Sequence, residues 1–177
     1  MEAQIVELSD HRLFTVMRTG NGCVYFSTSG DFGDTWSEPE PLRRDDGGAR
    51  VLNPNCACPL TKLSGGRYAL LHCNNDGKVP GANSVFAASV VRHPIYVSVG
   101  VENKPGKEQP IRWSAPRLLT TLDGYKTKFG GKSMDLTYGL LHEQDGQYYH
   151  FYNARWESIQ VNRINPALLE YSGGQEP

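Results

Sequence analysis

The sequence predicts an all-β protein of short antiparallel strands, and three observations support this. Its 177 residues include 19 Gly, 11 Pro, 9 Tyr and 3 Trp, a composition rich in turn formers and strand aromatics. No long stretch carries the apolar period of an amphipathic helix. A pattern of strand, Gly-containing turn and strand recurs three times along the chain.

The first unit, about residues 3–44, has a strand at Gln4-Ile5-Val6-Glu7-Leu8, a turn at Asp10-His11 and a second strand from Arg12 to Arg18. A third strand, Cys23 to Ser27, and a short outer strand near Pro39 to Leu42 complete it. The second unit, about 52–120, has strands at Pro59 to Leu63, Arg67 to His72, Pro94 to Val99 and Arg117 to Leu119, with a turn at Ser64-Gly65-Gly66. The third, about 134–171, has Leu136 to Leu141, a turn at Gln144-Asp145-Gly146, Tyr148 to Tyr152, Ser158 to Ile164, and Ala167 to Glu170. Each unit thus reads as four short strands rich in β-branched and aromatic residues.

Charge and composition exclude several functions. The net charge is −1 and the basic residues are dispersed, so nothing suggests a nucleic-acid or polybasic-membrane surface. No apolar run approaches the roughly 20 residues of a membrane span. Met1-Glu2-Ala3-Gln4 lacks the basic region and apolar core of a signal peptide, which leaves the cellular address unread. Cys23, Cys56, Cys58 and Cys73 are too few and too far apart for a disulfide framework. Cys56-Ala57-Cys58 has no second pair at zinc-ligand spacing, so it reads as small buried thiols, and neither metal nor cofactor is expected.

The most specific stretch is Ser27-Thr28-Ser29-Gly30-Asp31-Phe32-Gly33-Asp34-Thr35-Trp36. Asp31 can accept backbone N–H groups inside a tight turn, Ser29 and Thr35 can bond locally, and Trp36 can cover the neighbouring strands. Ser29, Asp31, Gly33, Thr35 and Trp36 match the pattern S-x-D-x-G-x-T-W without a mismatch, and here the chain resembles the Asp-box (BNR) repeat of sialidases, or neuraminidases. Ile111 to Pro116 ends like this box without its Asp and Gly, and reads as a degenerate copy. The box is a folding device and does not by itself give function. The resemblance implies a β-propeller: three four-stranded blades with one intact box, making up the second half of a six-bladed catalytic domain across residues 1–177. Three blades cannot close a ring, so a fragment, a truncated frame or a half-propeller that pairs with another chain is expected.

The resemblance also implies site residues. Glu2 to Leu8 followed by Leu13 to Arg18 is similar to the family stretch in which a Glu opens one strand and an Arg closes the next. By this match Glu2 is the partner of a nucleophilic Tyr and Arg18 binds the substrate carboxylate. Asn53 to Leu63, Leu70 to Asn75 and Arg92 to Ser98 resemble the next blade, where Arg92 is a further carboxylate-binding arginine and His93 a bystander. Guanidinium suits a carboxylate because it makes paired, charge-assisted hydrogen bonds. A carboxylate nucleophile would be repelled by that substrate, so a Tyr hydroxyl is used instead.

In the last blade Tyr138 precedes the Asp145-Gly146 turn by seven residues where the family has some eight, and Thr137 holds the expected place. A slip of one residue turns a strand side chain to the other face. Either this strand carries an adjustment that makes Tyr138 the nucleophile, or Tyr138 is a core aromatic. Tyr148, Tyr149 and Tyr152 read as packing residues. The loop from Asp76 to Ala88 could shape a site and Arg155-Trp156-Glu157 could touch a glycan; Asp135 is offered as an acid only by its nearness to Tyr138. The family's first arginine and its acid/base Asp have no counterpart here. The expected function is an exo-α-sialidase-type hydrolase acting on terminal sialic acid or a related acidic sugar, with a sialylated or other acidic glycan as partner. Its rival is a non-catalytic Asp-box propeller that binds glycans or proteins.

Overall fold

The computed structural model describes residues 2–78, 91–121, 136–154 and 158–173. Asp135 and Arg155 to Glu157 lie outside them, as does most of the loop from Asp76 to Ala88. The described residues form three antiparallel sheets, and their only helical elements are two 3-10 turns.

The first sheet runs β1 (Ala3–Glu7), β2 (Leu13–Met17), β3 (Tyr25–Ser29) and β4 (Glu40–Pro41), each strand pairing with the next. Register places Val6 opposite Phe14 and Phe14 opposite Thr28, with Gln4, Val16 and Phe26 in line beside them. This alternation puts Phe14, Val16 and Phe26 on the buried face, with the Phe14 and Phe26 rings stacked at 5.5 Å.

The second sheet holds β5 (Leu60–Leu63), β6 (Arg67–His72), β7 (Ile95–Glu102), β8 (Ile111–Trp113) and β9 (Arg117–Thr120). It has five strands rather than the expected four. Ile111 to Pro116 opens with a strand, not a degenerate copy of the turn: Ile111 and Trp113 are buried, Arg112 between them is exposed, and all three pair with β7. Gly100 allows this, because a Cβ there would lie 2.6 Å from Ile111 Cγ2 and 2.7 Å from Trp113 Cζ3.

The third sheet has three strands, β10 (Leu136–Gln144), β11 (Gln147–Ala154) and β12 (Ser158–Ile164). Asp145 and Gly146 both take positive φ, which closes β10 and β11 with a two-residue turn matched to strand twist. The expected fourth strand at Ala167 to Glu170 is instead a 3-10 turn, Pro166–Leu169. Asn165 caps it by accepting from the Ala167 N–H at 3.0 Å, and Pro166 enters at a position where its missing N–H costs nothing.

The middle sheet is buried on both faces. Tyr68 and Leu70 join Phe14, Val16, Phe26 and Trp113 in one core against the first sheet, while Ala69, Leu71, Val97 and Val99 join Leu141, Tyr148 and Tyr152 in a second core against the third. β6 therefore reads as an almost unbroken apolar run, as a strand covered on both sides must. Polar clasps add to these contacts. The Ser9 N–H and hydroxyl donate to Glu102 at 2.8 and 2.5 Å, and Ser64 donates in the same way to Glu143, so a turn of each sheet is held by a carboxylate of the next. Arg67 donates to the Leu169 carbonyl at 2.7 Å and to the Tyr148 hydroxyl at 3.3 Å, docking the C-terminal turn. The far face of the third sheet is open: register aligns Leu140, Phe151 and Val161, and Leu140, Val161 and Ile159 are all exposed.

Candidate functional site

The strand ends on one side of the first two sheets, and the start of the third, bring the expected site residues together. Pairing of β1 and β2 continues one step beyond the strands, with the Arg18 N–H donating to the Glu2 carbonyl at 3.0 Å. Their side chains meet again, as Arg18 Nη1 donates to Glu2 Oε2 at 3.0 Å. Burial disfavours charge on Arg18, but the hydrogen bond and charge of Glu2, together with a hydrogen bond to Tyr138, outweigh it and raise its pKa. Glu2 and Tyr138 thus share one guanidinium.

The second arginine is tied to the first. Arg18 Nε donates to Asn55 Oδ1 at 2.8 Å, and Arg92 Nη2 donates to the backbone carbonyl of the same Asn55 at 2.8 Å. Arg92 is only 5% exposed, and its Nε is buried with no hydrogen-bond partner among the described residues. The buried Trp113 Nε1 and His150 Nε2 likewise have no partner among the described residues.

Tyr138 sits on a distortion of β10. Thr137 pairs with Asn153 and Leu140 with Phe151, so Tyr138 and Gly139 together oppose Tyr152 alone. This is a β-bulge, with Tyr138 at φ 55° and its side chain 48% exposed. The one-residue offset in the sequence is absorbed here, and Tyr138 is not a core aromatic. Gly139 makes the bulge possible, because a Cβ would stand 2.6 Å from His150 Nε2. His150 is fully buried, hydrogen-bonded through Nδ1 to Thr120 Oγ1 at 2.8 Å and stacked on Tyr152, and burial pushes its pKa down to about 4.

Beneath the arginines lie two thiols. Asn53, itself buried, donates from Nδ2 to the Cys56 carbonyl at 2.8 Å and accepts the Cys73 N–H at 3.0 Å, holding the two cysteines side by side. A hydrogen bond from Cys73 lowers the Cys56 pKa against its burial, and the charges of Arg92 and Arg18 assist. Cys58, without such a partner, is pushed by burial up to about 12. His93 turns to Thr121, with Nε2 3.0 Å from its hydroxyl.

The turn at Ser29 to Trp36 is self-contained. Asp31 accepts the Thr35 N–H at 2.9 Å, the Thr35 hydroxyl at 2.6 Å and the Ser29 hydroxyl at 2.7 Å, while Gly33 N–H donates to Ser29 Oγ at 2.8 Å. The bonds from Thr35, then that from Ser29, hold the Asp31 carboxyl down at about 2. Trp36 Nε1 donates to the Gly33 carbonyl at 3.0 Å, closing the turn on itself.

No protein-family profile matches the chain. Its fold aligns with a leech intramolecular trans-sialidase solved with 2,7-anhydro-Neu5Ac, at TM-score 0.64 and 21% identity, over 95% of this chain and 24% of that one. It aligns equally with the intramolecular trans-sialidase of Ruminococcus gnavus, solved with oseltamivir carboxylate, at TM-score 0.63 and 22% identity, over 97% of this chain and 34% of that one. A stretch of 42 residues is 52% identical to the anhydrosialidase of Macrobdella decora. The chain is thus similar to sialidases in fold over nearly its whole length and in sequence over 24% of it. It spans 24% and 34% of the two solved chains, and the stretch matched in the curated relative is 6% of that protein.

Two residues of the site, Asn55 and Gly139, carry no motif in the sequence. Asn55 lies in Asn53-Pro54-Asn55-Cys56, which signals a turn and nothing more. Its two arginine partners lie 37 residues to either side. Gly139 carried a faint signal, a glycine inside a strand pattern, which is where bulges occur.

Proposed function

We propose that this chain is part of a sialic-acid-processing glycosidase of the exo-α-sialidase type, built as part of a six-bladed β-propeller. The observation that carries the reading is the pair of arginines joined through Asn55 beside an exposed tyrosine on a bulge. Two guanidiniums brought together in this way suit the planar carboxylate of a sialic acid. Arg18 and Arg92 hold that carboxylate, the Tyr138 oxygen attacks the anomeric carbon, and Glu2 takes the phenol proton. A Tyr–carbon bond forms as the glycosidic bond breaks, and the proton for the departing sugar comes from an acid outside the described residues.

The similar structures are intramolecular trans-sialidases, which favours one variant of this reading, in which the enzyme-bound sugar is released by attack of its own hydroxyl instead of by water. A fluorogenic sialoside assay on a sample of measured solution mass tests the proposal, and product analysis for free or 2,7-anhydro sugar separates the variants. Tyr138→Phe is expected to abolish turnover with binding kept, and Arg92→Ala to raise KM sharply. A fully active Tyr138→Phe protein refutes the nucleophile. Sialoside affinity without release in any assembled form would favour the non-catalytic binding module.

A further inference from the structure

We propose that Asn55 is the positioning residue that fixes the two arginines in one geometry and so sets the selectivity of the pocket for a carboxylate. This rests on the sialic-acid reading of the site. Arg18 follows β2 of the first sheet and Arg92 precedes β7 of the second, so their guanidiniums meet from different sheets. Asn55 joins them with two different groups, its side-chain oxygen on Arg18 Nε and its backbone carbonyl on Arg92 Nη2, both at 2.8 Å.

The loop that carries Asn55 is itself anchored. Asn53 donates its N–H to the Gly22 carbonyl at 3.2 Å, and its side chain bonds the backbone of Cys56 and Cys73. Asn55 is thus fixed to both the first and the second sheet. The bond at Nε matters most, since it sets the plane of the Arg18 guanidinium. With Nε held by Asn55 and Nη1 by Glu2, the planar fork cannot rotate without losing a charge-assisted bond.

The residue type is also informative. Arg18 already meets one carboxylate at Glu2, so an aspartate at 55 would add a second and further weaken the field that a substrate carboxylate must meet, whereas an amide oxygen orients the cation without adding charge.

The test uses the full chain, with the methyl α-glycoside of N-acetylneuraminic acid and its methyl ester as probes. Titrations are run on the wild type, Asn55→Ala, Asn55→Asp, Arg18→Ala and the double variant Arg18→Ala/Asn55→Ala, with thermal unfolding to verify folding. The Nε–H resonance of Arg18 is followed by nitrogen NMR. Asn55→Ala should release that Nε–H to fast exchange and weaken binding of the acid by about tenfold or more. Binding of the ester should not change. Asn55→Asp should keep the Nε–H protected yet bind the acid less well than the wild type. The double variant should bind no more weakly than Arg18→Ala alone, because Asn55 acts through Arg18. Unchanged acid affinity in Asn55→Ala, additive losses in the double variant, or an Nε–H indifferent to Asn55 would overturn the proposal. If wild type and Arg18→Ala bind acid and ester alike, the sialic-acid reading fails, and the Nε–H measurement still decides whether Asn55 positions Arg18.

Discussion

Replacing Gly139 by alanine tests how the bulge at Tyr138 is held. The added Cβ would lie 2.6 Å from His150 Nε2, well inside any normal contact, and 3.5 Å from Leu71 Cδ1. The imidazole has little room to retreat, being bonded to Thr120 on its other nitrogen and stacked on Tyr152 at 5.0 Å between ring centres. Overpacking a tight core costs about 1–3 kcal/mol and losing the Thr120 bond about 1 kcal/mol more. The sum of about 2–4 kcal/mol corresponds to a fall in Tm of roughly 4–16 °C for a chain of this size. Thermal and urea unfolding of Gly139→Ala give the number directly. The cause is checked by Gly139→Ala/His150→Ala, in which the clash is gone, so the double variant should lose about 2 kcal/mol less than the sum of its single changes. A Tm for Gly139→Ala within about 1 °C of the wild type, or strict additivity in the double variant, would refute this account of the bulge.

Acid should lower the stability of the chain over two adjoining pH windows. His72 and His150 are both held neutral by burial, with pKa values pushed down to about 4, although the Leu52 carbonyl that accepts from His72 Nδ1 opposes the shift. Their contribution is complete above the unfolded value near 6.5 and is lost as pH falls from there through 4, by about 3 kcal/mol for each. The urea midpoint should therefore decline across that window, and His72→Gln and His150→Gln should each flatten the decline. In the lower window Asp31, whose folded carboxyl sits at about 2 against an ordinary 3.8, contributes beside Asp10, Asp76, Glu102 and Glu143, which are also held below their ordinary values. The Asp31 contribution is present above the ordinary value and disappears as pH falls through 2. Asp31→Asn should lower Tm at neutral pH, and the difference from the wild type should close in acid; a constant gap would show that the carboxylate charge is not what the turn needs.

Much of the fold was legible because its signals are local. Asp145-Gly146 announces its own turn, and Leu13 to Met17 and Arg67 to His72 carry the residues that a covered strand requires. The turn at Ser29 to Trp36 was readable to the level of its bonds, since every partner lies within a few residues. The errors came where two local signals competed. Ala167 to Glu170 is apolar enough for a strand, yet Asn165-Pro166 ahead of it is a helix start, and the cap prevailed. Ile111 to Trp113 resembled a turn by its ending, while its in-out burial is that of a strand. The site was only half legible. Residue types at Glu2, Arg18, Arg92 and Tyr138 could be matched to a family pattern, but Asn55 has meaning only once two distant arginines converge on it, and no periodicity records such a convergence.

The arrangement around Asn55 also explains why a costly group sits where it does. A buried guanidinium with an unsatisfied N–H lowers stability by about 1–3 kcal/mol, and an aliphatic side chain at 92 would avoid that cost. The middle sheet can carry it because both its faces are packed, which makes β6 and β7 a rigid base for the loops at their ends. On that base the loop at 53–58 is pinned by Asn53, the two arginines are pinned by Asn55, and Tyr138 is carried in by a bulge that only a glycine neighbour permits. Arg92 Nε shares its lack of a partner with Trp113 Nε1 and His150 Nε2 among the described residues, and the shell around it is what holds the guanidinium in place. On the proposed reading of the site, a rigid shell of this kind is what would keep a ligand-binding guanidinium in one geometry.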